Sequence, residues 1–215
     1  MQTNWKNRLI LTVLILFCSG TLYDESLKNI QNFYKNYKDF TVSFTQDTYQ
    51  SLVSKTVHFT GKVSYKRNVG VRMDVASPQQ QIIILKGKTV LIHLPEEGTT
   101  QTQNLPPEMA TQNVLGFFSG LDTIGEGYEI KESPEALFLY PKGGSGHITV
   151  WTNESHAIRR ILLKDATGNQ SDIRLSDYKF DVGVPSKVFH LKDADAGSAE
   201  KKPKPSVPEM RPEGE

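Results

Sequence analysis

The strongest constraint in this chain is a period of two. Phe40, Val42 and Phe44 alternate with Thr41, Ser43 and Thr45, and the beat returns in Val57, Phe59, Gly61, Val63 and Tyr65 against His58, Thr60, Lys62, Ser64 and Lys66. Alternation of this kind belongs to strands with one buried and one wetted face, and no helix can satisfy it. Lys86-Gly87-Lys88, set between residues 81–85 and 89–94, is a hairpin turn, which makes those two runs antiparallel neighbours. Gly70 and Ser77-Pro78 punctuate shorter extended pieces, and further strand candidates lie at 99–103, 128–132, 136–140, 147–152, 157–164 and 170–180. The total is about eleven strands, spaced as in a sheet that curls on itself.

Two segments break the beat. Between residues 24 and 38, Leu27, Ile30, Phe33, Tyr34 and Tyr37 recur at threes and fours, which predicts an amphipathic helix. Pro106-Pro107-Glu108 leads into Val114-Leu115-Gly116-Phe117-Phe118-Ser119-Gly120-Leu121, where an early proline and a late glycine frame a second, short helix. The fold class is therefore mainly β with some α: an open, strongly curved antiparallel barrel whose concave face the helices cover. Periodicity does not distinguish a filled interior from a hollow one.

The ends are of different composition. Lys6 and Arg8 precede the apolar run 9–17, which closes on Cys18-Ser19-Gly20, so residues 1–20 have the order of a secretory signal peptide. A membrane-spanning helix needs roughly 20 apolar residues, and lipid attachment at Cys18, the alternative, would place bulky Phe17 where a small residue is usual. Residues 21–192 form one domain, and 193–215 are rich in Lys, Glu, Pro, Ser and Ala with little to bury, the composition of a disordered tail. With 25 basic against 24 acidic residues, the whole chain carries +1; without Lys6 and Arg8 it carries 23 against 24, or −1. Neither value supplies the charge excess that nucleic acid or an anionic surface would select. Export implies the periplasm and a soluble, monomeric protein.

A search for chemistry finds little. The single cysteine leaves no disulfide framework, and His58, His93, His147, His156 and His190 show no paired metal-ligand spacing. No nucleophile elbow, phosphate loop or dinucleotide fingerprint is present, so no enzyme, metal or cofactor is expected. Arg67 is more informative. It continues the parity of Val63 and Tyr65, and its fixed fork of donors suits carbonyls left free at a helix end. The alternative is that it snorkels outward beside Asn68.

Several runs together resemble one family. Phe40-Thr41-Val42-Ser43-Phe44-Thr45-Gln46, Phe59-Thr60-Gly61-Lys62-Val63-Ser64-Tyr65-Lys66-Arg67, Pro78-Gln79-Gln80-Gln81-Ile82-Ile83, Lys86-Gly87-Lys88, Val90-Leu91-Ile92 and Val184-Pro185-Ser186-Lys187-Val188-Phe189 follow, in order and spacing, the outer-membrane lipoprotein carrier proteins of the bacterial periplasm. The resemblance spans about residues 24 to 190 and rests on the succession of spacings. It implies an open barrel with a lidded hydrophobic cavity. Val63, Tyr65, Arg67, Val71, Met73 and Leu91 would contact lipid, and Arg67 would hold the lid by its backbone. Leu115, Phe117 and Phe118 would sit on the lid. Implied partners are acylated lipoproteins, an inner-membrane releasing transporter, and an outer-membrane receptor or the membrane itself. Departures are visible: Asn68 stands where proline commonly follows the arginine, Val71 and Met73 replace aromatics, and Leu91 stands where tryptophan is frequent. Alternatives of the same fold are a periplasmic lipid or glycolipid carrier, and a lipoprotein-sensing domain that binds an anti-sigma factor.

Overall fold

The computed structural model describes residues 25–104 and 114–191. The expected signal segment 1–20 and tail 193–215 lie outside them. Helix α1 (Glu25–Lys35) leads into β1 (Asp39–Gln50), β2 (Lys55–Lys66), β3 (Gly70–Ser77), β4 (Gln81–Lys86), β5 (Thr89–Leu94) and β6 (Thr99–Asn104). Then come α2 (Val114–Gly120), a single turn α3 (Ile124–Gly127), β7 (Tyr128–Glu132), β8 (Leu137–Pro141), β9 (His147–Thr152), β10 (Ile158–Lys164) and β11 (Gln170–Phe180). All strands belong to one 11-stranded sheet, ordered β6-β5-β4-β3-β2-β1-β11-β10-β9-β8-β7. Two antiparallel meanders meet at the β1–β11 pair, and among the described residues β6 and β7 are the edges of the sheet. The open, mainly antiparallel architecture expected from the alternation is present, with α3 as an addition that four residues could not signal.

Alternation decides which face is inner. Phe40, Val42 and Phe44 of β1, Val63 of β2, Val71, Met73 and Val75 of β3, and Leu139, Val150, Ile161 and Ile173 from the other meander are buried in one cluster. Leu27, Ile30 and Tyr34 of α1, at helical spacing, and Phe117, Phe118 and Leu121 from α2 and the turn after it, enter that same cluster. The helices thus cover the inner face, and the segment from β6 to β7 carries α2 and α3 from one edge to the other. A smaller cluster lies on the outer face, where the single turn Ser186–Phe189 packs Phe189 against Ile84. Lys66 Nζ donates to the Val184 carbonyl at 2.6 Å and Arg72 to that of Val188 at 2.8 Å, fixing the chain after β11 to the back of the sheet.

Curvature has a visible local cause. The β2–β3 register shifts between Thr60 and Gly61, and a β-carbon on Gly61 would run into the Asp74 carbonyl and lie 2.7 Å from the Phe44 ring. Only glycine allows so close an approach at a bulge. Gly61→Ala should lower unfolding stability by about 1–3 kcal/mol through overpacking, measured as a drop in urea midpoint at unchanged slope.

Candidate functional site

Helix α1 lies across the inner face with each end held from a different part of the sheet. At its C-terminal end the Arg67 guanidinium, leaving the β2–β3 turn, donates to the carbonyls of Tyr34 at 2.8 Å and Tyr37 at 2.9 Å. The Tyr34 carbonyl also accepts from Tyr37 N–H at 3.2 Å, so the guanidinium adds a second donor in the last turn and reaches the Tyr37 carbonyl just beyond it. At the other end the carboxylate of Glu132, the last residue of edge strand β7, accepts from the backbone N–H of Ser26 at 3.2 Å and of Leu27 at 3.4 Å. An anion at the amino end and a cation at the carboxyl end both oppose the helix dipole, each contributing about 0.3–1 kcal/mol.

The last turn of α1 is pinned further by two phenols. The β9–β10 ladder is irregular between Ile158 and Arg160. Ile158 N–H donates to Tyr34 Oη at 3.1 Å, Tyr34 donates to Tyr178 Oη at 3.0 Å, and Tyr178 donates to the Ile158 carbonyl at 2.8 Å. This closes a ring of three bonds. Burial pushes both phenols above the ordinary tyrosine value, and for Tyr178 the neighbouring Tyr34 adds to the rise. Burial likewise raises Tyr65, partly offset by the Arg67 charge beside it.

Arg67 thus turns inward and meets a helix end, as its parity predicts; the outward alternative is not what is observed. The helix it meets is α1, whereas the resemblance led us to expect the segment carrying Phe117 and Phe118. That segment is coupled to α1 by other means: Gln31 Nε2 donates to the Leu121 carbonyl at 2.9 Å, and the Phe118 ring lies 5.7 Å from Tyr34 and 5.2 Å from Phe40 in edge-on contact. Phe40 in turn stacks on Tyr65 at 5.0 Å. Asn68 closes the turn that aims Arg67, with φ at 58° and Val69 N–H bonded to the Lys66 carbonyl at 3.1 Å. Proline, held near φ −65°, cannot adopt that angle, so the departure at Asn68 comes with a turn of its own.

Among the residues named from sequence, Val63, Tyr65, Val71, Met73, Phe117 and Phe118 come together on the inner face. The side chain of Leu115 is outside what the structure describes. Leu91 departs from the expectation. It pairs with Ile84 across β4–β5 and packs in the outer cluster, while its neighbours Val90 and Ile92 face inward, because adjacent strand residues point to opposite faces. Glu132, Gln31 and Tyr178 were not singled out from sequence. Their partners are about a hundred residues away or are backbone groups, and neither leaves a local pattern.

A small pocket of about 10 Å³ lies between Tyr34, Phe40, Tyr65, Phe118 and Leu121, at the lower limit of what a single water molecule needs. A larger cavity of about 120 Å³ opens at the other end of the strands, between Tyr128, His147, Ile148, Leu163 and the β10–β11 turn.

Residues 35–192 match the model of the outer membrane lipoprotein carrier protein LolA family. The chain belongs to that family. LolA-family members are described as carriers, and the chain is 22% identical over 194 residues to the outer-membrane lipoprotein carrier protein of Azotobacter vinelandii, covering 86% of this chain and 92% of that relative. Among solved structures, an uncharacterized conserved protein of Thermus thermophilus is similar at a TM-score of 0.51 with 10% identity, over 80% of this chain and 95% of that one. A LolA superfamily protein of Nitrosomonas europaea is similar at 0.49 with 17% identity, over 80% and 98%. At 10% identity, the likeness to the Thermus thermophilus protein speaks for the fold alone.

The phenol ring gives a pH prediction. An unfolded tyrosine ionises near pH 10, and both folded values are raised. Their contribution is therefore whole below about pH 10 and is lost as pH rises above it. Tyr34→Phe should cost about 1–3 kcal/mol near neutrality and should flatten the loss of stability above pH 10, as followed by urea midpoints from pH 7 to 11.

Proposed function

We propose that this protein is a periplasmic carrier that takes up the acyl chains of lipoproteins released from the inner membrane and delivers them to the outer membrane. The observation that carries the reading is the placement of Phe117 and Phe118. Both are buried on a short helix, in the same inner cluster as Val63, Val71 and Met73, in an open sheet. Membership of the carrier family supports the same reading.

The physical problem is one of reversibility. A sixteen-carbon chain gains roughly 12 kcal/mol on leaving water, at about 0.8 kcal/mol per methylene. A permanently open cavity that captured all of this would not release its cargo. Two phenylalanines regain about 3–6 kcal/mol when they refill the cavity, so the closed state offsets part of the binding energy and helps to drive release. Arg67 and Glu132 set this balance indirectly. They hold α1, and α1 holds α2 through Gln31, Tyr34 and the ring contacts.

Loosening the brace should therefore favour uptake over delivery. Arg67→Leu removes two charge-assisted bonds and should bind an acylated peptide roughly tenfold or more tighter, while passing it to acceptor vesicles more slowly. Transfer at the rate of the unsubstituted protein would refute this role for Arg67. Native mass spectrometry of protein taken from its own periplasm tests the cargo: a bound acylated polypeptide is expected, whereas free lipid would point to a lipid carrier of the same fold. An empty barrel bound to another soluble domain would point to a regulator.

A further inference from the structure

The β1–β2 hairpin ends in a single turn, Ser51–Val53, that leaves two adjacent aliphatic side chains in water: Leu52 is 96% exposed and Val53 62%. Tight turns are ordinarily closed by Gly, Asn, Asp or Ser, and neither aliphatic side chain belongs to a hydrophobic cluster of the described residues. The turn is also firmly mounted. Ser51 N–H donates to Asn169 Oδ1 at 2.9 Å and its hydroxyl to the Thr167 carbonyl at 2.6 Å. Asp165 organises that neighbouring loop, accepting from the backbone N–H groups of Thr167 at 2.8 Å and Asn169 at 2.9 Å. It accepts from both of their side chains at 2.8 Å as well.

The position of the turn matters as much as its stiffness. The β10–β11 loop that holds Ser51 also forms the rim of the 120 Å³ cavity, whose inner wall includes Ile148 and Leu163 from the apolar interior. The register places this rim at the end of β1 and β2 away from Arg67: Asp39 pairs with Lys66 at one end, and Gln50 with Lys55 at the other. Two oily side chains therefore stand beside an opening to the inner face.

A bilayer surface fits this tip better than a shaped protein pocket. Lipid accepts protruding aliphatic groups without a matching contour. Lys55 follows the turn and Tyr49, 36% exposed, precedes it; a cation and an amphipathic aromatic are the residues that settle at the lipid–water boundary. The nearby carboxylates are engaged, Asp47 by His58 at 2.6 Å and Asp165 within its loop. Two side chains give weak, reversible attachment, which suits a protein that must leave again.

We propose that Leu52 and Val53 dip into the surface of a lipid bilayer and set the adjacent rim against it while an acyl chain passes. The contact with lipid stands on the geometry above, and the passage of the chain rests on the carrier reading. The test uses the full chain with Cys18→Ser and an environment-sensitive fluorophore attached at Leu52→Cys, with Glu135→Cys on the exposed β7–β8 turn as the comparison site. Both labelled chains carry the same N-terminal segment, so any difference between them belongs to the tip.

On adding vesicles of phosphatidylethanolamine and phosphatidylglycerol, the label at position 52 should brighten several-fold and shift to the blue, while that at 135 should not change. The pair Leu52→Asp and Val53→Asp should slow transfer of a fluorescent fatty-acyl peptide to the same vesicles several-fold and leave its binding in solution unchanged. A label at 52 that stays unchanged with vesicles, or responds no more than that at 135, overturns the proposal even if the acyl peptide binds. A label that responds while the peptide fails to bind upholds the lipid contact and overturns the carrier reading.

Discussion

An open sheet with two edges leaves its apolar inner face without a second sheet to cover it, and everything else in this molecule follows from how that face is closed. The closure is a helix, α1, held from both ends. Glu132 accepts from its first N–H groups and Arg67 donates to its last carbonyls, and these side chains come from different meanders. The helix is thus a strut between two parts of the sheet that share only the β1–β11 pairing. With α1 fixed, Tyr34 reaches the irregular stretch at Ile158, Gln31 reaches the end of α2, and the phenylalanines of α2 have a wall to press against.

This arrangement divides rigidity unevenly. Helix α1 is retained by charged and polar bonds in addition to its buried face. The segment carrying Phe117 and Phe118 is retained by ring contacts, by burial and, through Gln31, by bonds beyond its own end. Apolar contacts are non-directional and can be exchanged for an acyl chain with little loss, whereas a guanidinium removed from its carbonyls has no comparable substitute in an apolar interior. On the carrier reading proposed above, α2 is the part that gives way to an acyl chain.

Much of this was legible in the sequence. Alternation gives the strands, their antiparallel order and the inward parity of Val63 and Tyr65; the threes and fours of Leu27, Ile30 and Tyr34 give the face of α1. Arg67 could be read as a helix-end partner because parity and donor geometry agree. Which helix it would meet could not, since that depends on how far α1 extends across the sheet. Leu91 shows the reverse failure: the family frame proposed it for the interior, while the alternation of its own strand, with Val90 and Ile92 inside, places it outside. Glu132 and the Tyr34–Tyr178–Ile158 ring are invisible in one dimension, because each joins segments separated by about a hundred residues or more through backbone atoms that every residue has.

The meeting of the first and last strands also has a consequence in time. Phe40 pairs with Phe180, so the centre of the sheet is built from segments far apart in the chain, of which β1 is made well before β11. Any process that delivers the chain amino end first, from a ribosome or through a pore, presents β1 long before its partner β11 exists. Until then one side of β1 is an unpaired edge, and contacts of such sequence separation are slow to close. During that interval the exposed row of Phe40, Val42 and Phe44 is the part of the chain most in need of protection from other unfinished chains.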